Sequence, residues 1–253
     1  MAKFEIKDGV AIIPEGTTVI EEDTFYDCSS LESVIIPESV TEIGDNAFGR
    51  CASLESITLP DSVASIGWYA FTGCTSLKNI TLPDSVTFLG ENAFSGCTSL
   101  ESITISNSVT RIDHYAFNDC TSLESITIPE SVKDIGVGAF RWCTSLKSIT
   151  IPESVTEIKG NAFSGCTSLE SITLPKSVTE IEESTFDGCT SLTTVTLPVG
   201  VKHISYNAFH ECSTLSTIYV PAKKTDYYMK RLPEELHGKI VELEPEKRTK
   251  VRN

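Results

Sequence analysis

Residues 143–165 read CTSLKSITIPESVTEIKGNAFSG, and this stretch decides the fold. Three residues after Cys143 comes Leu146, then Ile149 and Ile151, Pro152, Val155, Ile158 and the pair Ala162-Phe163. Cys166 then opens the same pattern again. Outward in both directions lie Cys28, Cys51, Cys74, Cys97, Cys120, Cys189 and Cys212, and every spacing is 23 residues. Leucine keeps the same step from Leu31 to Leu215, and phenylalanine from Phe25 to Phe209. Eight unbroken repeats therefore occupy 28–211, with a partial copy before them from about residue 13 and another after, to about residue 221. A 23-residue unit cannot hide its own apolar residues, whereas stacked units hide them against each other. The chain is a solenoid.

Each unit has readable local structure. LKSITIP alternates Ile149 and Ile151 with polar residues over a strand length, and Pro152 ends the run because proline has no N–H for a ladder. VTEI is a second short extended piece. GNAFSGC, with Gly and Asn before Ala-Phe, predicts a turn running into one helical or 3-10 turn. Equivalent strands stack in parallel about 4.8 Å apart, so nine coils span roughly 45 Å.

The full unit, CTSLxSITIPxSVTEIGxxAFxGC, resembles the BspA-like leucine-rich repeats, and the likeness covers about residues 10–221. The resemblance implies a leucine-rich repeat solenoid: a right-handed curved coil with a parallel β-sheet on its concave face and a short second strand per turn. It also implies cell-surface or secreted proteins used for adhesion and protein binding, without catalysis.

Three segments follow. Residues 1–27 form an N-terminal cap hairpin and a partial repeat; 28–211 are the eight repeats; 212–253 hold the last partial repeat, a C-terminal cap helix and strand, and a basic tail. Caps are needed because an open coil exposes apolar surface and unpaired strand edges. Phe4 and Ile6, then Asp8-Gly9, then Val10 and Ile12 give a hairpin signal. TDYYMKRLPEELHGKIVEL predicts a short helix with Thr225 or Asp226 as N-cap and Pro233 as its stop, then a strand using Ile240, Val241 and Leu243.

The chain has 253 residues, 40% of them hydrophobic, and a net charge of −15. That composition suits a folded protein and excludes a disordered one. The acidic balance argues against nucleic acid and anionic membranes as partners. The charge is uneven: residues 222–253 carry nine Lys/Arg and six Asp/Glu, which leaves a net of −18 in 1–221. No apolar run reaches membrane-spanning length, and the start MAKFEIKDGVAIIPEG lacks the long apolar stretch of a signal peptide. Read alone, the sequence places the chain in the cytoplasm; the resemblance places it at the cell surface or outside.

Nine thiols at one equivalent position form a single file along the stack, not a converging zinc set. Their side chains point the same way, and nine is odd, so the expectation is a buried column of reduced cysteines with no disulfide and no metal. Catalytic residues are not expected either. The serines recur at fixed offsets, as at Ser33, Ser56, Ser102 and Ser125, and a nucleophile is needed only once. His114, His203, His210 and His237 fit no catalytic or metal-binding motif, and there is no glycine-rich phosphate loop. No cofactor is expected.

Two polar ladders lie on the strands. One runs from Ser33 to Thr217, the other from Ile35 through Thr58 and Thr196 to Tyr219. Threonine suits exposed strand positions; a flat array of this kind also orders water or sugar hydroxyls. A row containing Glu32, Glu55, Glu101, Glu124 and Glu170, broken by Lys78 and Lys147, either attracts a cationic partner or keeps the solenoid soluble.

The repeats differ mainly in the two residues before Ala-Phe and the two after it. There stand Trp68, Tyr69, His114, Tyr115, Arg141, Trp142 and Tyr206. Neutral drift on a solvated turn delivers Lys, Glu, Asn or Gly, whereas Trp, Tyr and Arg are enriched in binding hot spots. These residues are the candidate binding edge, against the alternative that they only lie over a neighbouring coil. The function expected is a monomeric, non-enzymatic scaffold that binds another protein. The alternatives are a regularised or engineered repeat protein without a natural ligand, and ice or glycan binding by the Ser/Thr ladder.

Overall fold

The structure is a computed structural model, and it describes residues 4–244. The basic end of the tail, 246–253, lies outside the described residues. The chain winds as a parallel β-solenoid of about ten turns. One strand row runs through Val10–Ile12, Ser33–Ile35, Asn79–Thr81, Ser102–Thr104 and onward to Thr217–Val220. Partners are residues one period apart, as in Ser125 with Ser148 and Ile126 with Ile149. The middle residue of each strand is buried and its neighbours face water, which is the period-2 pattern of the sequence. A second row pairs two-residue strands such as Asp134–Ile135 with Glu157–Ile158.

The part of the coil around Ala-Phe departs from the expected helical turn. Among the described residues it contains no helix; it is a run of overlapping β-turns. Within residues 159–166 the N–H groups alternate. Ala162, Ser164 and Cys166 donate back to Lys159, Asn161 and Phe163, at 3.1–3.2 Å. Asn161, Phe163 and Gly165 donate forward to Glu183, Thr185 and Asp187 of the next coil, at 2.7–2.9 Å. A helical turn would have used those N–H groups inside its own coil. Left-handed backbone at Asn161 (φ 59°) and Gly165 (φ 75°) turns them along the stack instead, so each coil satisfies its neighbour. The turn is thus a third inter-coil ladder.

The core between the ladders is made of columns. Phe25 to Phe209 stack with centroids 5.2–5.7 Å apart and planes within 10° of parallel. At that separation the rings are offset, the favoured arrangement. Ring spacing tracks a neighbouring position only in part, since beside Gly136 and beside Lys159 it is the same 5.5 Å. Where that position is Gly67 or Gly90, an added Cβ would meet the preceding coil's backbone at 2.6–2.8 Å, and the rings sit 5.2 Å apart. Where Asp113 takes that place, the spacing from Phe94 to Phe117 opens to 5.7 Å.

Each cysteine is more than a small apolar filler. The thiol of Cys166 donates to the Phe140 carbonyl at 3.1 Å, and seven other thiols from Cys51 to Cys212 repeat the bond at 3.1–3.2 Å. That carbonyl already accepts the N–H of its own coil's cysteine, so the S–H fills its second lone pair across the interface. The serines behave alike: Ser62 and Ser85 donate to Val40 and Val63 carbonyls of the preceding coil at 2.6 Å. Ser131 and Ser154 repeat the bond at 2.6 and 2.8 Å, and Gly200 takes that place in the last full repeat.

At the front, Ile6–Lys7 pairs antiparallel with Val10–Ile12 around Asp8 (φ 50°) and Gly9 (φ 78°). At the back, the helix Thr225–Met229 follows Lys224, which caps it without a side-chain hydrogen bond. Neither Thr225 nor Asp226 is the cap: the Thr225 hydroxyl is drawn to Glu242 at 2.7 Å. The helix ends before Pro233, which instead starts the 3-10 helix Glu234–Lys239. Tyr228 is buried against the last coil, with its hydroxyl on the Pro198 carbonyl. Ile240–Glu242 then adds a final parallel strand, Ile218 pairing with Ile240.

Candidate functional site

Equivalent residues lie one coil step apart, so the variable offsets around Ala-Phe line one edge of the solenoid. The structure gathers the candidate residues into three spots on it. Trp68 and Tyr69 form the first; His114, Tyr115, Arg141 and Trp142, from two consecutive coils, form the second; Tyr206 stands alone three coil steps beyond Trp142.

The aromatics pack along the stack. A methyl added at Gly90, Gly138 or Gly165 would run into Trp68, Tyr115 and Trp142 respectively, so each ring lies on a glycine of the following coil. His114 is engaged as well, its Nδ1 accepting the Val137 N–H at 2.8 Å. Yet much of this surface still faces water: Trp68 is 53% exposed, Trp142 45% and Tyr206 78%. The Arg141 guanidinium lies 4.0 Å over the Trp142 ring, and its Nε is buried without a hydrogen-bond partner.

The backbone adds a second observation. Tyr69 (φ 58°), Tyr115 (φ 54°) and Trp142 (φ 59°) all occupy left-handed conformations. Most other coils fill those offsets with Asn46, Asn92 and Asn161 or with Gly73, Gly96, Gly165 and Gly188, residues that tolerate positive φ, while Ser184, Arg50, Asp119 and Glu211 take them elsewhere. A bulky side chain there costs of order 1 kcal/mol or more.

Two features escape a reading by residue type. Tyr26 and Arg50 make the same kind of pair as Trp142 and Arg141, with the guanidinium 5.7 Å from the ring, but Tyr26 follows its Phe in the partial first copy. Asp187, His210 and Glu211 place one ligand atom each within 4.8 Å of one another. The period could have found the second, since Asp187 and His210 are 23 apart at one offset, while Tyr26 and Arg50 are 24 apart at adjacent offsets. In the charged row, Lys147 bonds Glu124 at 2.9 Å; the pair is exposed and contributes little. No helix among the described residues is long and apolar enough to cross a membrane.

Comparison with known proteins places these features. The family described as BspA type leucine rich repeat region matches in six copies, over residues 10–124 and 110–230. A leucine-rich repeat protein of T. pallidum is 30% identical, with 85% of this chain and 87% of that one covered and a TM-score of 0.54. A leucine-rich repeat protein from Eubacterium ventriosum is 24% identical over 83% of this chain and 72% of that one, with a TM-score of 0.51. A leucine rich cell surface protein from Faecalibacterium prausnitzii is 27% identical over 94% and 87%, with a TM-score of 0.48. No curated protein matches the chain.

Proposed function

We propose, from the premise that this chain belongs to the BspA-type leucine-rich repeat family, that it is a non-enzymatic scaffold which binds another protein through its turn edge. Scaffolds of this kind often serve protein–protein interaction. The observation that carries the edge assignment is the placement of Tyr69, Tyr115 and Trp142. Large side chains stand at positive φ, Tyr69 and Trp142 exposed and Tyr115 partly so, where asparagine or glycine would fit with less strain. Trp, Tyr and Arg are the side chains that dominate interface energetics. Trp68, His114, Arg141 and Tyr206 extend the same surface.

The test is a binding screen of the full chain against immobilised extracellular-matrix proteins, with Trp68→Ala and Trp142→Ala measured beside it. A partner held through this edge loses roughly 30-fold in affinity per hot-spot tryptophan, about 2 kcal/mol. Urea unfolding of the same variants separates the alternative. Variants that lose stability but bind as tightly as wild type assign these rings to coil packing alone.

A further inference from the structure

We propose that Asp187, His210 and Glu211 form a binding site for a divalent transition metal of the zinc class, clipping the last full coil to the one before it. The site lies on the same turn edge, at its last two full coils, and its metal chemistry does not depend on the protein-binding reading. Asp187 and His210 hold the same offset one period apart, each just after a stacked phenylalanine, and Glu211 follows His210. The His210 Nδ1 is 2.9 Å from Asp187 Oδ1, and a Glu211 oxygen completes a set within 4.8 Å. Ligand atoms around a tetrahedral zinc, at bonds near 2.0 Å, sit about 3.3 Å apart, inside that range. One imidazole with two carboxylates suits zinc and its neighbours rather than calcium or magnesium, which take oxygen alone.

The surroundings leave room for the remaining ligands. His210 and Glu211 line a cavity of about 250 Å³ with Tyr206, Glu235 and Lys239, open to water for the vacant coordination positions. The cysteines do not compete: the Cys189 and Cys212 thiols are buried and donate to carbonyls, so neither offers a thiolate. The combination is also unlike the other coils. Residues equivalent to Asp187 and His210 are Tyr26, Gly49, Thr72, Ser95, Asn118, Arg141 and Ser164. The molecule contains its own control. His203 meets Glu180 of the preceding coil at 3.2 Å, the same kind of His–carboxylate contact, but belongs to no three-ligand group among the described residues.

Zinc chloride titrated calorimetrically into EDTA-treated, dialysed full-length chain tests the site. One zinc binds per chain, and the thermal unfolding midpoint rises with zinc concentration. His210→Ala and Glu211→Gln each weaken binding at least tenfold, while His203→Ala binds as wild type does. Glu211→Gln keeps the shape of an exposed side chain, so its circular dichroism should match wild type and its zinc affinity is readable even if His210→Ala unfolds. Absence of saturable binding, or equal loss in His203→Ala and His210→Ala, overturns the assignment. Equal binding by Glu211→Gln and wild type also overturns it.

Discussion

Raised from pH 8 to pH 10, the protein unfolds. Eight thiols, from Cys51 to Cys212, have their pKa pushed up from the ordinary 9.0, chiefly because burial disfavours the thiolate. Cys51, Cys97 and Cys212 reach about 12. A folded pKa above the unfolded value means that the native state holds protons the unfolded chain gives up. Stability from these groups is whole below pH 9 and falls as pH rises from 9 towards 12. At pH 10 each thiol of the unfolded chain has gained of order 1 kcal/mol by ionising, so eight together remove of order 10 kcal/mol. That equals the whole stability of an ordinary domain. Far-UV circular dichroism across pH 7 to 11 reads the transition. Replacing central cysteines by alanine shifts the alkaline midpoint upward relative to neutral-pH stability; a chain still folded at pH 10.5 would show that the thiol file is wet.

Phe117→Ala lowers stability by about 3–5 kcal/mol, the range for emptying a buried phenylalanine site. The ring is fully buried between Phe94 and Phe140, at 5.7 and 5.5 Å. Its loss removes two stacking contacts as well as apolar area, each contact contributing about 0.5–1.5 kcal/mol beyond burial. In a quasi-one-dimensional protein the damage also weakens both flanking interfaces. Phe209→Ala, at the end of the ring stack and slightly exposed, costs less. Urea unfolding followed by tryptophan fluorescence ranks the two, with Trp142 one coil beyond Phe117 and Trp68 two coils before it as reporters. Equal losses at both sites would mean that the stack is not continuous.

Much of this architecture is legible in the residues because each coil repeats the same chemistry. Leu146, Ile149, Val155 and Phe163 mark the buried columns, and a 23-residue step fixes which residues pair. What escaped reading is conformation that several residue types can adopt. Ala-Phe flanked by Asn161 and Gly165 suits a helical turn or a run of β-turns, and the neighbouring coil's carbonyls decide for the turns. Cysteine as a donor was hidden behind cysteine as a small apolar residue. Thr225 looked like a helix cap because its competitor, Glu242, lies 17 residues away. On the candidate edge, the residue types were readable, while the glycines beneath Trp68, Tyr115 and Trp142 became visible only once coils were stacked.

The central claim is that each coil is held by its neighbours through ladders that repeat every 23 residues. Excision of residues 143–165 tests it most directly, set beside excision of 143–154 alone. The first deletion brings Cys166 into the place of Cys143 and remakes every column. It should yield a soluble chain that unfolds cooperatively with its β-structure intact. The second puts Asn161, Thr167, Glu170 and Pro175 where Ile149, Val155, Ile158 and Phe163 must stack, and it should not fold. Two deletions that behave alike, both folded or both unfolded, would contradict the stacked-coil account.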